Sequence, residues 1–156
     1  MKKITPCLWF DNEALPAAKF YCSVFKNSKI LDISNYTTET PSDKKIGSVM
    51  TVTFKINGQE FMGLNGGKYF KLSEAVSFII PCKDQKEIDY YYKKLSAVKD
   101  AEICGWLKDK FGVSWQLVTA DFDKMMKDKK RSANVMKAVL QMKRLNIKKL
   151  QEAYRK

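Results

Sequence analysis

The chain reads as two similar halves, and this repetition constrains its fold more than any other feature. In the first half, β-favouring residues over 4–10 lead into a segment, 13–25, whose apolar residues recur at the spacings of three and four that are typical of an amphipathic helix. The same order returns in the second half as a strand over 75–81 and a helix over 84–95. Strand-like runs follow both helices, so the sequence predicts an α+β fold of two strand–helix–strand modules.

Short-range signals predict several turns and helix ends. Asn57-Gly58 separates the strand-like runs 46–56 and 60–64, and this dipeptide is typical of a two-residue hairpin. A second hairpin is expected near the end of the second half, with a turn over 109–112 in which Gly112 supplies a positive φ. Helix caps are predicted at Asn12, at Asp84 with Glu87 completing a capping box, and at Asn146.

The length of 156 residues suits one domain with a C-terminal appendage. We expect a paired domain over 1–120, made of the halves 1–70 and 71–120, and a basic helical extension over 121–156. The polar start of this extension, as far as Arg131, is predicted to be partly irregular.

The formal net charge of +12 is concentrated near the C-terminus, where residues 121–156 hold twelve Lys or Arg against four Asp or Glu. Such a segment either binds a polyanion or forms a solvated helical face. The body of the chain has no basic stripe interleaved with aromatic residues, which favours the solvated face over a nucleic-acid partner.

Composition and the distribution of apolar residues also predict the cellular location. The chain has no apolar run of about 18 residues that would span a membrane, and its first residues lack the apolar core of a signal peptide. We therefore expect a cytoplasmic protein without a membrane partner. The four cysteines show no CxxC spacing, which predicts free thiols rather than a zinc site.

Six segments carry a family resemblance: TPCLWFD at 5–11, AKFYCSVFKNSKI at 18–30, NGQEFMGLNGG at 57–67, AVSF at 75–78, CGWLKD at 104–109 and FGVSWQ at 111–116. The chain resembles the PhnB-like branch of the glyoxalase/bleomycin-resistance (vicinal oxygen chelate) superfamily, whose members often carry the label 3-demethylubiquinone-9 3-methyltransferase. The resemblance implies two tandem βαβββ modules forming a curved mixed sheet around a cleft, plus C-terminal helices. It also implies a homodimer.

The methyltransferase label finds no support in the residues. A Rossmann-type methyltransferase needs a Gly-rich turn after its first strand, opening a helix. Here the first predicted strand ends in FDNE at 10–13, and NGG at 65–67 leads into KYFK rather than into a helix. We interpret the label as a misnomer for this chain.

The resemblance also locates a metal site. Metalloenzymes of the superfamily take ligands, typically His and Glu, from the first and last strands of each half, and the matching positions here are Thr5, Gly63, Ala75 and Gln116. Gly and Ala offer no side-chain ligand, Thr and Gln are weak neutral ligands, and the chain contains no histidine. We therefore predict neither a metal nor a cofactor.

Strand alternation predicts the lining of the cleft. The expected residues are Thr5, Cys7, Trp9, Phe61, Gly63, Asn65, Ser77, Cys104, Ser114 and Gln116. This mixture of apolar walls and neutral polar groups suits a small, partly apolar ligand. Gln116 is either an amide that orients this ligand or one that bonds across the sheet, and Cys104 is expected to be inert because no histidine would activate it.

These observations favour a metal-free protein that binds a small molecule of unknown identity. The alternative is a metabolic enzyme of the same fold that acts on a small metabolite. No catalytic set stands out in the sequence, so whether a reaction is catalysed stays open. The arrangement of the dimer and the role of the C-terminal helices stay open as well.

Overall fold

The structure is a computed structural model that describes residues 4–41 and 43–156. The chain divides into two compact units, one reaching Leu72 and the other spanning Ser73–Lys156. Each unit contains a mixed sheet, of four strands in the first and three in the second, and the C-terminal helices belong to the second. The predicted α+β class is therefore confirmed.

The first unit has the predicted strand–helix–strand order. Its elements are β1 (Cys7–Phe10), α1 (Ala14–Val24), β2 (Lys29–Asn35), β3 (Val49–Ile56) and β4 (Gln59–Asn65). The sheet order is β1-β4-β3-β2, with β1 parallel to β4 and the other pairs antiparallel. The β3–β4 hairpin turns at Asn57 and Gly58, which have φ of 46° and 82°, so this prediction is confirmed.

Helix α1 packs on one face of this sheet, where Tyr21 and Phe54 are buried with stacked rings 6.0 Å apart. The predicted cap at Asn12 is wrong, because the N-cap position is Glu13 and its own side chain does not cap the helix. The side chain of Asn65 in β4 supplies the acceptor instead, with its Oδ1 2.9 Å from the Ala14 backbone N–H.

The second unit repeats this order with one strand fewer in its sheet. Its elements are β5 (Ser77–Cys82), α2 (Gln85–Leu95), a 3-10 turn (Lys99–Ala101), β6 (Trp106–Lys108), β7 (Ser114–Thr119), α3 (Phe122–Lys127), α4 (Ser132–Val139) and α5 (Ile147–Tyr154). The sheet order is β5-β7-β6, with β5 parallel and β6 antiparallel to β7. In place of a counterpart to β2, the chain between α2 and β6 forms the 3-10 turn and a single bridge between Ile103 and Trp106.

The helix caps predicted in this unit are confirmed. Asp84 Oδ1 accepts a hydrogen bond from the Glu87 backbone N–H at 2.9 Å, and Asn146 Oδ1 accepts one from the Lys149 N–H at 3.0 Å. The segment before Arg131 is partly irregular as predicted, since the six-residue helix α3 ends at Lys127 and turns follow it.

The C-terminal segment docks within its own unit. The Gln85 amide in α2 donates to the Leu145 carbonyl at 3.2 Å and accepts from the Ile147 N–H at 2.9 Å. The Cys104 N–H donates to the Met142 carbonyl at 2.7 Å. The segment that joins α4 to α5 therefore contacts the start of α2 and the turn before β6. Among the described residues, every helix falls short of the length and apolar character that a bilayer crossing requires.

Candidate functional site

One face of the three-stranded sheet carries three of the four cleft residues predicted in the second unit, which are Ser77, Ser114 and Gln116. Paired residues on neighbouring strands point to the same side of a sheet. Ser77, Ser114 and Lys108 therefore form one row across β5, β7 and β6, and Ile79, Gln116 and Trp106 form the next. We call this surface, defined by these two rows, the open face.

The other side of this sheet is closed by α2. Leu107, Trp115 and Leu117 lie on that side and are buried, as are Ile88 and Leu95 of the helix. The open face has a different character, since the Ile79 side chain is 61% exposed and Trp106 and Gln116 are half-buried. A partly apolar surface with polar groups is therefore left beside a well-packed core.

The polar groups of the open face are only partly satisfied. The Gln116 side-chain Nε2 donates to Ser77 Oγ across the sheet at 2.8 Å. Ser114 is 2% exposed, and its Oγ has no hydrogen-bond partner among the described residues. A buried hydroxyl without a partner costs about 1–3 kcal/mol, so this atom is the feature of the face that most requires an explanation.

A charged pair lies at the end of the first row. Lys108 in β6 forms an ion pair and hydrogen bond with Glu74, which precedes β5. The hydrogen bond from Lys108 is the main reason that the pKa of Glu74 lies below its usual range. The Lys108 side chain is 20% exposed and that of Glu74 is 56% exposed, so the lysine is held by the sheet while the carboxylate faces solvent.

In the first unit, the pairing of β1 with β4 contradicts part of the predicted cleft lining. Cys7 pairs with Met62, and Trp9 pairs with Leu64, so these residues share the face away from α1. The prediction had placed Phe61, Gly63 and Asn65 beside Cys7 and Trp9, and it is wrong because these three alternate to the opposite face.

Two contacts explain why β4 turns these residues towards α1. A Cβ added to Gly63 would lie 3.1 Å from the Ala14 Cβ, so the helix packs closely against the sheet at this glycine. Both ends of the Asn65 amide are engaged, since it accepts from the Ala14 N–H and donates to the Val49 carbonyl at 2.9 Å.

The remaining predicted residues lie at the margins of these sheets. The Trp9 indole donates to the Gly67 carbonyl at 2.8 Å and meets the exposed Phe70 ring edge-on at 4.9 Å. Thr5 is half-buried ahead of β1. Cys7 is exposed as a whole residue, but partial desolvation of its thiol raises the pKa. Cys104 has a φ of 54° in the turn before β6, outside the two rows of the open face.

Sequence reasoning missed a polar groove in the first unit. The groove has a volume of about 480 Å³ and is lined by Asp11, Asn12, Asp43, Lys44, Gly67, Lys68 and Tyr69. The Lys44 ammonium donates to Asp11 at 2.6 Å and to Asn12 at 2.8 Å, which neutralises much of the local charge. Lys44 lies in a loop that is remote from Asp11 in sequence, so no local sequence pattern predicts their contact.

The side chains do not fit the metal that the fold family implies. The four positions expected to hold it carry Thr5, Gly63, Ala75 and Gln116, and the Gln116 amide already donates to Ser77. The described residues include no group of three or more His, Cys, Asp or Glu side chains placed to hold a metal ion. The donor set is therefore unsuited to a divalent transition metal.

Comparison with known proteins places this fold in a family. Residues 2–118 match the family profile described as 3-demethylubiquinone-9 3-methyltransferase. The chain belongs to this family. A search of curated proteins gave no significant match.

Solved structures support the same relationship. The chain is similar to a structure described as a putative 3-demethylubiquinone-9 3-methyltransferase, PhnB protein, from Bacillus cereus, with 37% identity and a TM-score of 0.63 over 76% of this chain and all of that one. The protein PA1353 from Pseudomonas aeruginosa shares the fold, with 14% identity and a TM-score of 0.57 over 76% of this chain and 98% of its own. The predicted membership of a PhnB-like family is confirmed.

Proposed function

We propose that this family member is a metal-free protein that binds a small, partly apolar molecule on the open face. The observation that carries the proposal is the buried Ser114 hydroxyl, which lacks a partner beside the Gln116–Ser77 hydrogen bond. Folded proteins rarely leave such a group unsatisfied. A ligand that accepts a hydrogen bond from Ser114 Oγ gives this hydroxyl a role.

The apolar residues of the open face support the same proposal. Ile79 and Trp106 flank Gln116 in the second row, so they offer apolar contact area on both sides of a polar amide. Small-molecule sites typically combine apolar walls with a few oriented polar groups. In this proposal Gln116 keeps its bond to Ser77 and presents its amide oxygen to the ligand.

The family description does not transfer to this chain as an activity. A Rossmann-type methyltransferase binds its cofactor at a Gly-rich turn between the first strand and the following helix. Between β1 and α1 this chain has Asp11, Asn12 and Glu13, and Asn12 also contacts Lys44. Binding without methyl transfer is therefore the function we favour, in a cytoplasmic homodimer.

The first test is native mass spectrometry of the purified protein, with metal analysis of the same sample. We expect a dimer without stoichiometric metal that carries a small molecule. A stoichiometric divalent metal would overturn the metal-free assignment and favour a metal-dependent enzyme of this fold.

Ser114→Ala separates binding from folding, with the exposed serine variant Ser23→Ala as a matched control. Removing an unpartnered buried hydroxyl raises the free energy of unfolding of the ligand-free protein, by up to about 1–3 kcal/mol. The same change weakens retention of the co-purified molecule. A destabilised Ser114→Ala protein that retains the molecule fully would show that the hydroxyl serves the fold and not a ligand.

A further inference from the structure

Lys108 is a cation held in a fixed position at the edge of the open face. Its backbone carbonyl accepts hydrogen bonds from the Ala97 and Val98 N–H groups, and β6 pairs with β7 through it. Its side chain is four-fifths buried, so the ammonium group has lost much of the freedom of a surface lysine. Such a cation needs an anionic partner, because burial of an unpaired charge is costly.

Glu74 supplies this partner but is not itself held in the sheet. It precedes β5, and more than half of its side-chain surface is exposed. An exposed carboxylate that pairs with a buried cation is easily replaced, since the exposed member gives up little when it returns to water.

The Ser114 hydroxyl favours a ligand group that, like the Glu74 carboxylate, is an anion that accepts hydrogen bonds. Ser114 lies directly opposite Lys108 in the β6–β7 pairing and on the same face. Its buried Oγ has no acceptor among the described residues. An ammonium and a hydroxyl on paired residues of one sheet face are two donors suited to one oxyanion.

We propose that Lys108 and Ser114 form the subsite for an oxyanion of the ligand, a carboxylate or a phosphate, and that Glu74 pairs with Lys108 in the ligand-free protein. This inference rests on the proposed function, and it specifies in addition that the ligand is negatively charged. The ligand is then an amphipathic acid, with its apolar part against Ile79 and Trp106 and its anionic end at Lys108.

Three matched probes test the charge of the ligand: benzoate, phenyl phosphate and the neutral benzamide. Binding is followed by ¹H–¹⁵N NMR of the full chain, using the amide signals of β5, β6 and β7. We expect the open face to bind one or both anions more tightly than benzamide. The preferred anion identifies the ligand as a carboxylate or a phosphate.

Two variants test the residues. Glu74→Gln removes the internal competitor, and we expect the preferred anion to bind about two- to fivefold more tightly. Lys108→Met keeps the apolar stem and should weaken anion binding by at least about tenfold while leaving benzamide binding unchanged. Glu152→Gln and Lys137→Met, at exposed positions of α5 and α4, are the controls and should change neither.

The two proposals fail differently. If benzamide binds as tightly as both anions, or Glu74→Gln leaves anion affinity unchanged, the oxyanion subsite is wrong and the proposed function stands. If no probe shifts the open-face signals but a co-purified molecule is present, the oxyanion subsite is again wrong. If no probe binds and no molecule co-purifies, the proposed function itself fails.

Discussion

The carboxylate of Asp109 holds the β6–β7 hairpin together, and replacing it tests this assignment sharply. Asp109 is 1% exposed. Its Oδ1 accepts from the Phe111 and Val113 N–H groups at 2.8 and 3.1 Å, and its Oδ2 accepts from the Trp115 indole N–H at 2.8 Å. All three are donors, so the position requires a side chain that only accepts.

Asp109→Asn keeps the shape of the side chain and changes one acceptor into a donor. The amide oxygen can still serve the two backbone N–H groups, but its NH₂ then faces the Trp115 indole N–H. A lost hydrogen bond to a charged group costs about 1.5–3 kcal/mol, and the unpartnered indole N–H adds to this. We expect the free energy of unfolding to fall by about 2–4 kcal/mol.

A double-mutant cycle with Trp115→Phe isolates the indole contact. In the double variant the introduced NH₂ of Asn no longer faces the indole N–H. Its loss of unfolding free energy should therefore be smaller than the sum of the losses in the two single variants. We expect a coupling energy of about 1.5–3 kcal/mol. Urea unfolding followed by far-UV circular dichroism measures all four proteins, since this signal does not depend on the replaced tryptophan.

The exposed carboxylate of Asp123 in α3 provides the control, and Asp123→Asn should stay within about 0.5 kcal/mol of the unchanged protein. Additive effects of Asp109→Asn and Trp115→Phe would refute the reasoning, because the two side chains would then contribute independently. A hairpin held by backbone pairing alone would give that result.

Three further predictions concern other parts of the chain. A Cβ at Gly66 would lie 2.3 Å from the Trp9 ring, so Gly66→Ala should lower the melting temperature and alter tryptophan fluorescence, and an unchanged spectrum would contradict this packing. Asn65→Ala should speed amide hydrogen exchange in α1 and leave α2 unchanged, because it removes a buried cap from the first unit only. Hydrogen bonds, first from Lys99, lower the pKa of Glu102 to about 2, so stability present above its ordinary pKa of 4.5 should be lost as the pH falls towards 2. Glu102→Gln should flatten the melting temperature across that window, and a slope equal to that of the unchanged protein would refute the assignment.

Local signals in the sequence were enough to predict the ends of several elements. The Asn57-Gly58 turn and the caps at Asp84 and Asn146 form as expected. The predicted capping box forms only in part, because the Glu87 carboxylate accepts from the Lys83 N–H and not from the Asp84 N–H. Each depends on side chains and backbone within a few residues of one another, so its energy is nearly independent of the rest of the chain.

The cap of α1 could not be predicted in this way. The sequence offers Asn12 immediately before the helix, but the acceptor comes from Asn65, 51 residues after the Ala14 N–H that it serves. Asn12 instead accepts a hydrogen bond from Lys44. Which of two asparagines caps the helix depends on where β4 lies, and that position is a product of the folded sheet.

The sequence by itself determined the class of the fold, the two strand–helix–strand modules and the PhnB-like family. It also supplied the serine and glutamine that share the open face. Tertiary structure alone decided which face each residue of β4 occupies, because a register shift of one residue between parallel strands moves every side chain to the other side. The close packing of α1 against Gly63 favours the observed register, and that contact joins residues too distant in sequence for any local pattern to specify.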